Sequence, residues 1–238
     1  MKKLLVLAFA ATVSPAALAF SYTTSFESPG FAPGGPLNGQ SSWVTTGSAF
    51  TVQTGLARTG SQSVIWSNAG GASGSFGWIP FSAGTVDALT SVWINISSNS
   101  APDSNFGLAG FFSGASESAR LVFDRNGDVR GTLNSGSTTL SVLGNVGTVV
   151  DQWVEVKLSI DTVSKGVSGS VKGVNFALGS LTNATGILDV DLYRAVNGSS
   201  TAAAFAAFDD YSVAPVPEPA TLIAASIAAL AVARRRRK

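Results

Sequence analysis

Two aspartates in the second half of the chain are the residues best placed to act as an acid and a base. Asp189 and Asp191 lie two residues apart, so an extended strand would place both carboxyl groups on one face. A solvated strand face explains this spacing equally well, and we therefore predict no catalytic residue. The chain contains no histidine and no cysteine, which excludes a Ser-His-Asp triad, a Cys-His pair and a His-ligated zinc site.

Tryptophan rings are the second candidate for binding chemistry, because an aromatic ring can stack on the apolar C–H face of a sugar. Trp78 lies among glycines and small residues, and Trp153 shares a strand face with Glu155 and Lys157. We predict these two rings as glycan platforms. Trp93 lies inside a long apolar strand, and for this ring we favour a place in the core.

The elements that position these residues are predicted to be strands. From Trp153 to Asp161 every second residue is apolar, which is typical of a strand with one buried face and one solvated face. Turn signals recur and helical crossovers are lacking, so we predict an all-β fold, an antiparallel two-sheet β-sandwich (jelly roll) over residues 20–214. The other predicted strands are Phe20–Glu27, Ala49–Thr54, Ser61–Trp66, Ser75–Phe81, Val86–Ile96, a stretch within Lys165–Leu178, Ile187–Arg194 and Thr201–Val213.

The clearest predicted hairpin runs from Arg120 to Leu133, with Asn126-Gly127 at its tip. Asn-Gly favours a two-residue type I′ turn, because both positions accept a positive φ. Charged residues on the outer face can pair across the strands, namely Arg120, Asp124, Asp128 and Arg130. The spacing of the two aspartates does not match an EF-hand calcium loop.

The amino terminus has the pattern of a secretory signal peptide. Lys2 and Lys3 precede an apolar run from Leu4 to Val13, and Ala17-Leu18-Ala19 provides a small-x-small cleavage site. We predict that residues 1–19 are removed and that the mature chain begins at Phe20.

The carboxyl terminus combines three features in a fixed order. Pro217-Glu218-Pro219 excludes helix, Ala220 to Ala233 carries no charge, and a basic cluster follows at Arg234, Arg235, Arg236, Arg237 and Lys238. A basic cluster directly after an apolar segment stays on the cytoplasmic side of a membrane. The uncharged run is shorter than the about 17–25 residues of a spanning helix, but counting from Val213 or letting the arginines snorkel closes most of that gap.

This tail resembles the PEP-CTERM sorting domain of exported bacterial proteins, over residues 215–238. The resemblance implies a C-terminal apolar helix and an exosortase-type transpeptidase that recognises Pro217, Glu218 and Pro219 and cuts nearby. It also implies an exported protein whose precursor is anchored in the inner membrane before it reaches the cell surface or the extracellular space. An ordinary C-terminal anchor with an incidental motif is the alternative.

The body between these two segments is acidic. Seven of the 15 basic residues and one of the 14 acidic residues lie in the terminal segments, which leaves the body with a net charge of −5. An acidic body without a basic stripe argues against nucleic acid as a partner.

Short motifs in the body resemble the concanavalin A-like, laminin G-like jelly rolls of exported bacterial proteins. Carbohydrate-binding modules of the galactose-binding type resemble the chain equally well. Glycosidases of the concanavalin A-like fold place their carboxylates on one strand as Glu-x-Asp-x-x-Glu, a pattern that this sequence lacks. The motifs that carry the resemblance are Phe26-Glu27, Leu37–Gln40 with Trp43, Thr59–Val64, Trp153–Val156 and Phe208–Tyr211.

Calcium is the one cofactor that the resemblance implies. In calcium-stabilised jelly rolls a glutamate of the first strand and an aspartate of the last strand meet at one edge, which points to Glu27, Asp209 and Asp210. Such hard oxygen ligands suit calcium, and carbonyl groups of the loop after Ser28 could complete the site. The alternative is that these are edge-strand charges that prevent pairing with neighbouring sheets.

Our leading hypothesis is a secreted, non-enzymatic β-sandwich protein that is delivered to the cell surface or the extracellular polysaccharide, where it binds glycan. One alternative is a carbohydrate-active enzyme on a concanavalin A-like fold. The other is a purely structural protein of the matrix or of adhesion.

Overall fold

The structure is a computed structural model, and it describes residues 20–46, 49–68, 75–114, 117–135, 139–196 and 204–216. Three groups of predicted site residues lie outside these ranges: the cleavage site at Ala17 and Ala19, the motif Pro217-Glu218-Pro219, and the basic cluster Arg234 to Lys238. The C-terminal apolar helix also lies outside them. Within the described ranges, no helix is long and apolar enough to span a membrane.

The described chain forms two antiparallel sheets, which confirms the predicted all-β sandwich. The eight-stranded sheet has the order β13-β12-β11-β6-β15-β4-β3, with β1 also paired to β15, and the seven-stranded sheet has the order β10-β9-β8-β7-β14-β5-β2. The strands are β1 (Tyr22–Thr24), β2 (Val44–Thr45), β3 (Phe50–Gln53), β4 (Ser63–Asn68), β5 (Ser75–Trp78), β6 (Asp87–Ile96), β7 (Ser104–Ser113), β8 (Glu117–Asp124), β9 (Asp128–Ser135), β10 (Ser141–Asn145), β11 (Trp153–Asp161), β12 (Gly166–Val171), β13 (Val174–Ser180), β14 (Gly186–Val196) and β15 (Ala204–Ala214).

The core lies between the two sheets, and β11 has the bounds and the alternation that the sequence predicts. Its inner side chains are buried: Val154, Val156, Leu158 and Ile160. The residues between them are half-buried and lie on the outer face of the sheet. This strand pairs with β6 along nine residues, from Trp153 opposite Asn95 to Asp161 opposite Asp87.

Strand β7 is an element that the sequence analysis missed. Glycines and small residues break its alternation, and these residues are needed for close packing. A Cβ added at Gly110 would lie 2.6 Å from Ile160 Cδ1 of the opposite sheet. The requirement for a small residue comes from the facing sheet, so the sequence of β7 alone does not reveal it.

The tip of the predicted hairpin is not the type I′ turn that Asn126-Gly127 suggested. The amide of Gly127 donates to the carbonyl of Asp124 over 3.0 Å, so Arg125 and Asn126 occupy the corners of the turn. Of these residues only Gly127, with φ of 80°, has the positive φ that a type I′ turn requires at both corners. The reason is the Asp124 carboxylate, whose Oδ1 accepts from the amides of Asn126 at 2.8 Å and Asp128 at 3.1 Å.

The charge pairing predicted for this hairpin is confirmed for Arg130, whereas Arg120 donates to the Tyr193 hydroxyl at 3.3 Å. Arg130 Nη1 lies 2.8 Å from Asp124 Oδ2, and its Nη2 lies 3.4 Å from Asp128 Oδ2. The Asp124 side chain is almost fully buried, so its ion pair and its two amide donors compensate for the loss of water.

The two faces of β11 should respond differently to truncation. Val156→Ala or Leu158→Ala should lower the free energy of unfolding by roughly 1–4 kcal/mol, because each leaves a cavity in the core. Lys157→Ala removes only a partly exposed ion pair with Glu155, and should cost less than about 1 kcal/mol. Urea unfolding of the three variants measures this difference, and equal losses on both faces would contradict the assigned core.

Candidate functional site

The outer face of the eight-stranded sheet carries a row of aromatic and polar side chains. On β6 the side chains of Val92 and Ile94 fill the core, so Ser91 and Trp93 lie on the outer face. Trp93 pairs with Glu155 of β11 on one side and with Asp209 of β15 on the other. The prediction that Trp93 belongs to the core is therefore wrong. The alternation of Val92 and Ile94 in the sequence was the signal that places this ring outside.

A groove with a volume of about 490 Å³ lies beside Trp93 on this face. Serine and threonine dominate its lining, which consists of Thr23, Thr24, Ser25, Ser91, Trp93, Asp210, Tyr211 and Ser212. The hydroxyls of Ser91 and Ser212 hydrogen-bond to each other over 2.8 Å. The guanidinium of Arg58 lies over the Trp93 ring, 3.7 Å from its centroid, and forms an ion pair with Asp210.

A second groove, of about 180 Å³, continues the same face toward β13. It is lined by Leu89, Lys157, Ser159, Ser168, Gly169, Ser170 and Asn175. Lys157 pairs with Ser91 on one side and with Ser170 on the other, so the two grooves adjoin. Its ammonium lies 2.9 Å from the Glu155 carboxylate.

The two predicted glycan platforms lie on different sheets. Trp153 is half-buried on the outer face of the eight-stranded sheet, opposite Asn95 and close to the row of Trp93. Trp78 is half-buried in β5 of the seven-stranded sheet, on the same face of that strand as Phe76. The structure therefore does not bring these two rings into one site.

The loop between β3 and β4, residues 54–62, contacts two lining residues of the first groove through Arg58, and Glu27 anchors the second half of this loop. Glu27 Oε1 accepts from the amides of Ser61 and Gln62, both at 2.8 Å, and Oε2 accepts from the Ser61 hydroxyl at 2.9 Å. Burial acts to raise the pKa of Glu27, but the hydrogen bonds from Gln62 and Ser61 prevail and lower it. Gly60 has a φ of +64°, and a Cβ there would lie 2.3 Å from Glu27 Oε1, so any other residue would be strained and would displace the Glu27 carboxylate.

Two aspartates of the last strand anchor the first half of the same loop. Asp209 is fully buried, and its Oδ2 accepts from the amides of Arg58 at 2.8 Å and Thr59 at 3.2 Å. Asp210 Oδ1 accepts from the Thr59 hydroxyl at 2.6 Å. Glu27, Asp209 and Asp210 together form what we call the carboxylate clamp of the loop.

The contacts of the carboxylate clamp can be compared with those that the predicted calcium site would need. Its hydrogen bonds come from amides, hydroxyls and a guanidinium of the loop, so the oxygens face donors and not a shared space for a cation. Among the residues that the structure describes, no group of three or more acidic side chains is arranged to hold a metal ion. This arrangement fits loop anchoring better than a calcium site, and calcium binding by these three residues stays a prediction.

Asp189 and Asp191 do lie together on β14, as the spacing predicts, but the Oδ1 atom of each is buried without a hydrogen-bond partner among the described residues. Burial raises the pKa of Asp191 well above its ordinary value, and the charge of Asp189 raises it further. Burial also raises the pKa of Asp189. Glycosidases need carboxyl groups separated by about 5–5.5 Å or about 6.5–9.5 Å, with room for sugar or water between them. A pair whose second member is only 2% exposed does not offer that arrangement.

The carboxylate clamp should give the stability a characteristic pH dependence. Burial raises the pKa of Asp209 from 3.8 to about 6, although hydrogen bonds from Thr59, Arg58 and Asp210 oppose the shift. The folded protein thus holds this proton more tightly than the unfolded chain, so the free energy of unfolding should fall as the pH rises from about 4 to about 6.

Asp209→Asn should flatten this fall, measured by urea unfolding at several pH values. Asp161→Asn is the matched control. Hydrogen bonds from Ser164 and Val163 outweigh burial and lower the pKa of Asp161. This substitution should therefore change the pH dependence of the free energy of unfolding at more acid pH. An unchanged slope in Asp209→Asn would contradict the buried, ionisable clamp.

Comparison of the sequence with known proteins gives one family match, at the C-terminus. Residues 215–238 match the PEP-CTERM protein-sorting motif, which indicates an exported protein that passes the membrane and is processed by an exosortase-type system. No curated protein matches the sequence.

Several solved structures share the fold at low sequence identity. The cellulose-induced protein Cip1 has a TM-score of 0.54 at 15% identity, over 82% of this chain and 97% of that chain. A carbohydrate esterase of the Shiga toxin-encoding bacteriophage phi24B has a TM-score of 0.56 at 16% identity, with the same coverage of 82% and 97%. A GH43 glycoside hydrolase has a TM-score of 0.54 at 12% identity, over 87% of this chain and 42% of that chain. The body therefore shares the fold of these β-sandwich proteins, and residues 215–238 match the PEP-CTERM protein-sorting motif.

Proposed function

We propose that this protein is an exported, non-enzymatic β-sandwich that binds a neutral glycan chain across the outer face of its eight-stranded sheet. The observation that carries the proposal is the groove of about 490 Å³ beside Trp93, with its lining of hydroxyl groups. A sugar presents apolar C–H faces and many hydroxyls, and such a groove offers an aromatic edge together with donors and acceptors. The fold shared with a cellulose-induced protein and a carbohydrate esterase supports the same class of ligand.

The charges of this face favour a neutral ligand. Arg58 is paired with Asp210, and Lys157 is paired with Glu155, so the basic groups beside the two grooves are neutralised by their own neighbours. A uronic acid or sulfated polymer would have to break these pairs or approach an acidic body of net charge −5. A neutral chain would not have to break these ion pairs, and it would not be repelled by the net negative charge of the body.

The direction of the chain follows from the register of the sheet. One row of polar residues crosses six adjacent strands: Thr23, Ser212, Ser91, Lys157, Ser170 and Asn175. Five strand spacings correspond to about 24 Å, which accommodates several sugar rings in line. Both grooves lie along this row, so the glycan would cross the strands and not run along them.

The proposal that the protein has no enzymatic activity rests on the carboxyl groups. The acid pair lies on the other sheet, where Asp189 is half-buried and Asp191 is buried, and Asp210 in the groove is occupied by Arg58 and Thr59. Release of reducing ends or acyl groups from polysaccharides would instead favour the carbohydrate-active enzyme. Absence of both turnover and binding would favour a purely structural protein.

Glycan binding should depend on the face that carries Trp153. Trp153→Ala should weaken binding to a neutral polysaccharide by roughly five- to tenfold, in keeping with the about 0.5–1.5 kcal/mol of an aromatic contact. Trp78→Ala is the matched control, since this half-buried ring lies on the other sheet. Affinity electrophoresis in gels of a mixed-linkage β-glucan, a xylan or a galactomannan measures the effect, with alginate as the charged counterpart.

The outcomes of the electrophoresis distinguish between the two sheets and between neutral and charged ligands. Retarded migration in a neutral gel that Trp153→Ala reduces and Trp78→Ala does not would support the proposed face. Stronger retardation in alginate would contradict the choice of a neutral ligand. Loss of binding in Trp78→Ala alone would assign the site to the seven-stranded sheet.

A further inference from the structure

We infer that one end of the sandwich lies against the lipid surface while the precursor is anchored. This end, which we call the membrane pole, comprises Phe20, Val216, the turn 82–86 and the turn 161–165. The inference goes beyond glycan binding, and it rests on the proposed passage of the C-terminal segment through the membrane.

The first observation is that the described chain enters and leaves at the same end. Strand β1 pairs antiparallel with the last strand, with Tyr22 opposite Val213 and Thr24 opposite Tyr211. Residues before Tyr22 and residues after Val213 therefore continue toward the same side. The ring of Phe20 stacks on that of Phe81 at 4.4 Å and fixes the entering chain there.

The second observation is a hydrogen bond that holds the departing chain. The amide of Val216, the last described residue, donates to Asp87 Oδ2 over 2.9 Å. Asp87 is the first residue of β6 and lies opposite Asp161, the last residue of β11. The chain is thus attached to the sheet up to the residue that precedes Pro217, so a long spacer does not separate the body from the sorting motif.

The reach of the polypeptide then limits the distance to the bilayer. The apolar segment begins at Ala220, four residues after Val216. Four residues span at most about 14 Å even when fully extended. If the apolar segment enters the membrane, the membrane pole cannot lie farther than this from the lipid. The same end also faces the lipid through Phe20, which directly follows the predicted signal peptide.

The surface of the membrane pole suits an interface with lipid headgroups. Val163 at the tip of the turn 161–165 is 75% exposed, more than any other large apolar side chain of the described residues. The nearby charges are engaged within the protein: Asp161 accepts from the amides of Val163 and Ser164, and Lys165 Nζ donates to the Ala184 carbonyl at 2.7 Å. The strands run away from this pole, so a glycan that crosses them would lie roughly parallel to the membrane.

A matched pair of exposed valines tests the inference in the cysteine-free chain. Val163 lies at the membrane pole, and Val174, which is 46% exposed, follows the β12–β13 turn at the far end. The six residues of β12 separate the two ends by roughly 20 Å. Val163→Cys and Val174→Cys are each labelled with a fluorophore in the chain that retains residues 20–238.

Both proteins are reconstituted into vesicles of phosphatidylethanolamine and phosphatidylglycerol that contain a nitroxide-headgroup lipid, and association is verified by flotation. We expect the label at position 163 to be quenched at least threefold more strongly than the label at position 174. Equal quenching of floating protein, or stronger quenching at position 174, would overturn the membrane pole alone. Failure to float would overturn both this inference and the membrane passage of the tail, while glycan binding is decided separately by affinity electrophoresis.

Discussion

The interaction on which the rest of the structure depends is the carboxylate clamp that joins the two ends of the body. Glu27 follows the first strand, and Asp209 and Asp210 belong to the last, yet all three bind one loop, residues 54–62. That loop has no strand partner for its amides, so the carboxylates supply acceptors for four of them, those of Arg58, Thr59, Ser61 and Gln62. Because the loop carries Arg58 over Trp93, the same clamp also holds this guanidinium beside the first groove.

The pairing of β1 with β15 links this site to the delivery of the protein. It brings the chain termini of the body to one end of the sandwich, and it places Thr23 beside Ser212 within the hydroxyl row. This strand pair therefore forms one side of the groove. It also determines the end of the sandwich at which the sorting segment leaves, and with it the orientation of the proposed binding face. Neutralised charges beside the grooves, Arg58 with Asp210 and Lys157 with Glu155, are consistent with a surface built for hydroxyl-rich chains.

Local pattern predicted the elements well where one face of a strand is buried, as in β11, whose bounds and inner residues agree with the sequence. It failed where distant residues decide the outcome. Gly110 of β7 must be small because Ile160 of the facing sheet packs against it. The turn at Asn126 is determined by the hydrogen bond that its amide donates to the Asp124 carboxylate. For Trp93 the period-two pattern is sufficient, because Val92 and Ile94 on either side of it take the inner face. The loop contacts of Glu27 and Asp209 join residues more than 30 and about 150 positions apart, which no local pattern encodes.

We propose that a neutral glycan occupies the outer face of the eight-stranded sheet. The most direct measurement is a ¹H–¹⁵N NMR titration of the body with a soluble neutral oligosaccharide that affinity electrophoresis has selected. We expect the shift changes to concentrate on the amides of Thr23, Ser91, Ser170 and Ser212 and on the indole N–H groups of Trp93 and Trp153. Changes concentrated on Phe76, Trp78 and Tyr193 of the seven-stranded sheet would contradict it.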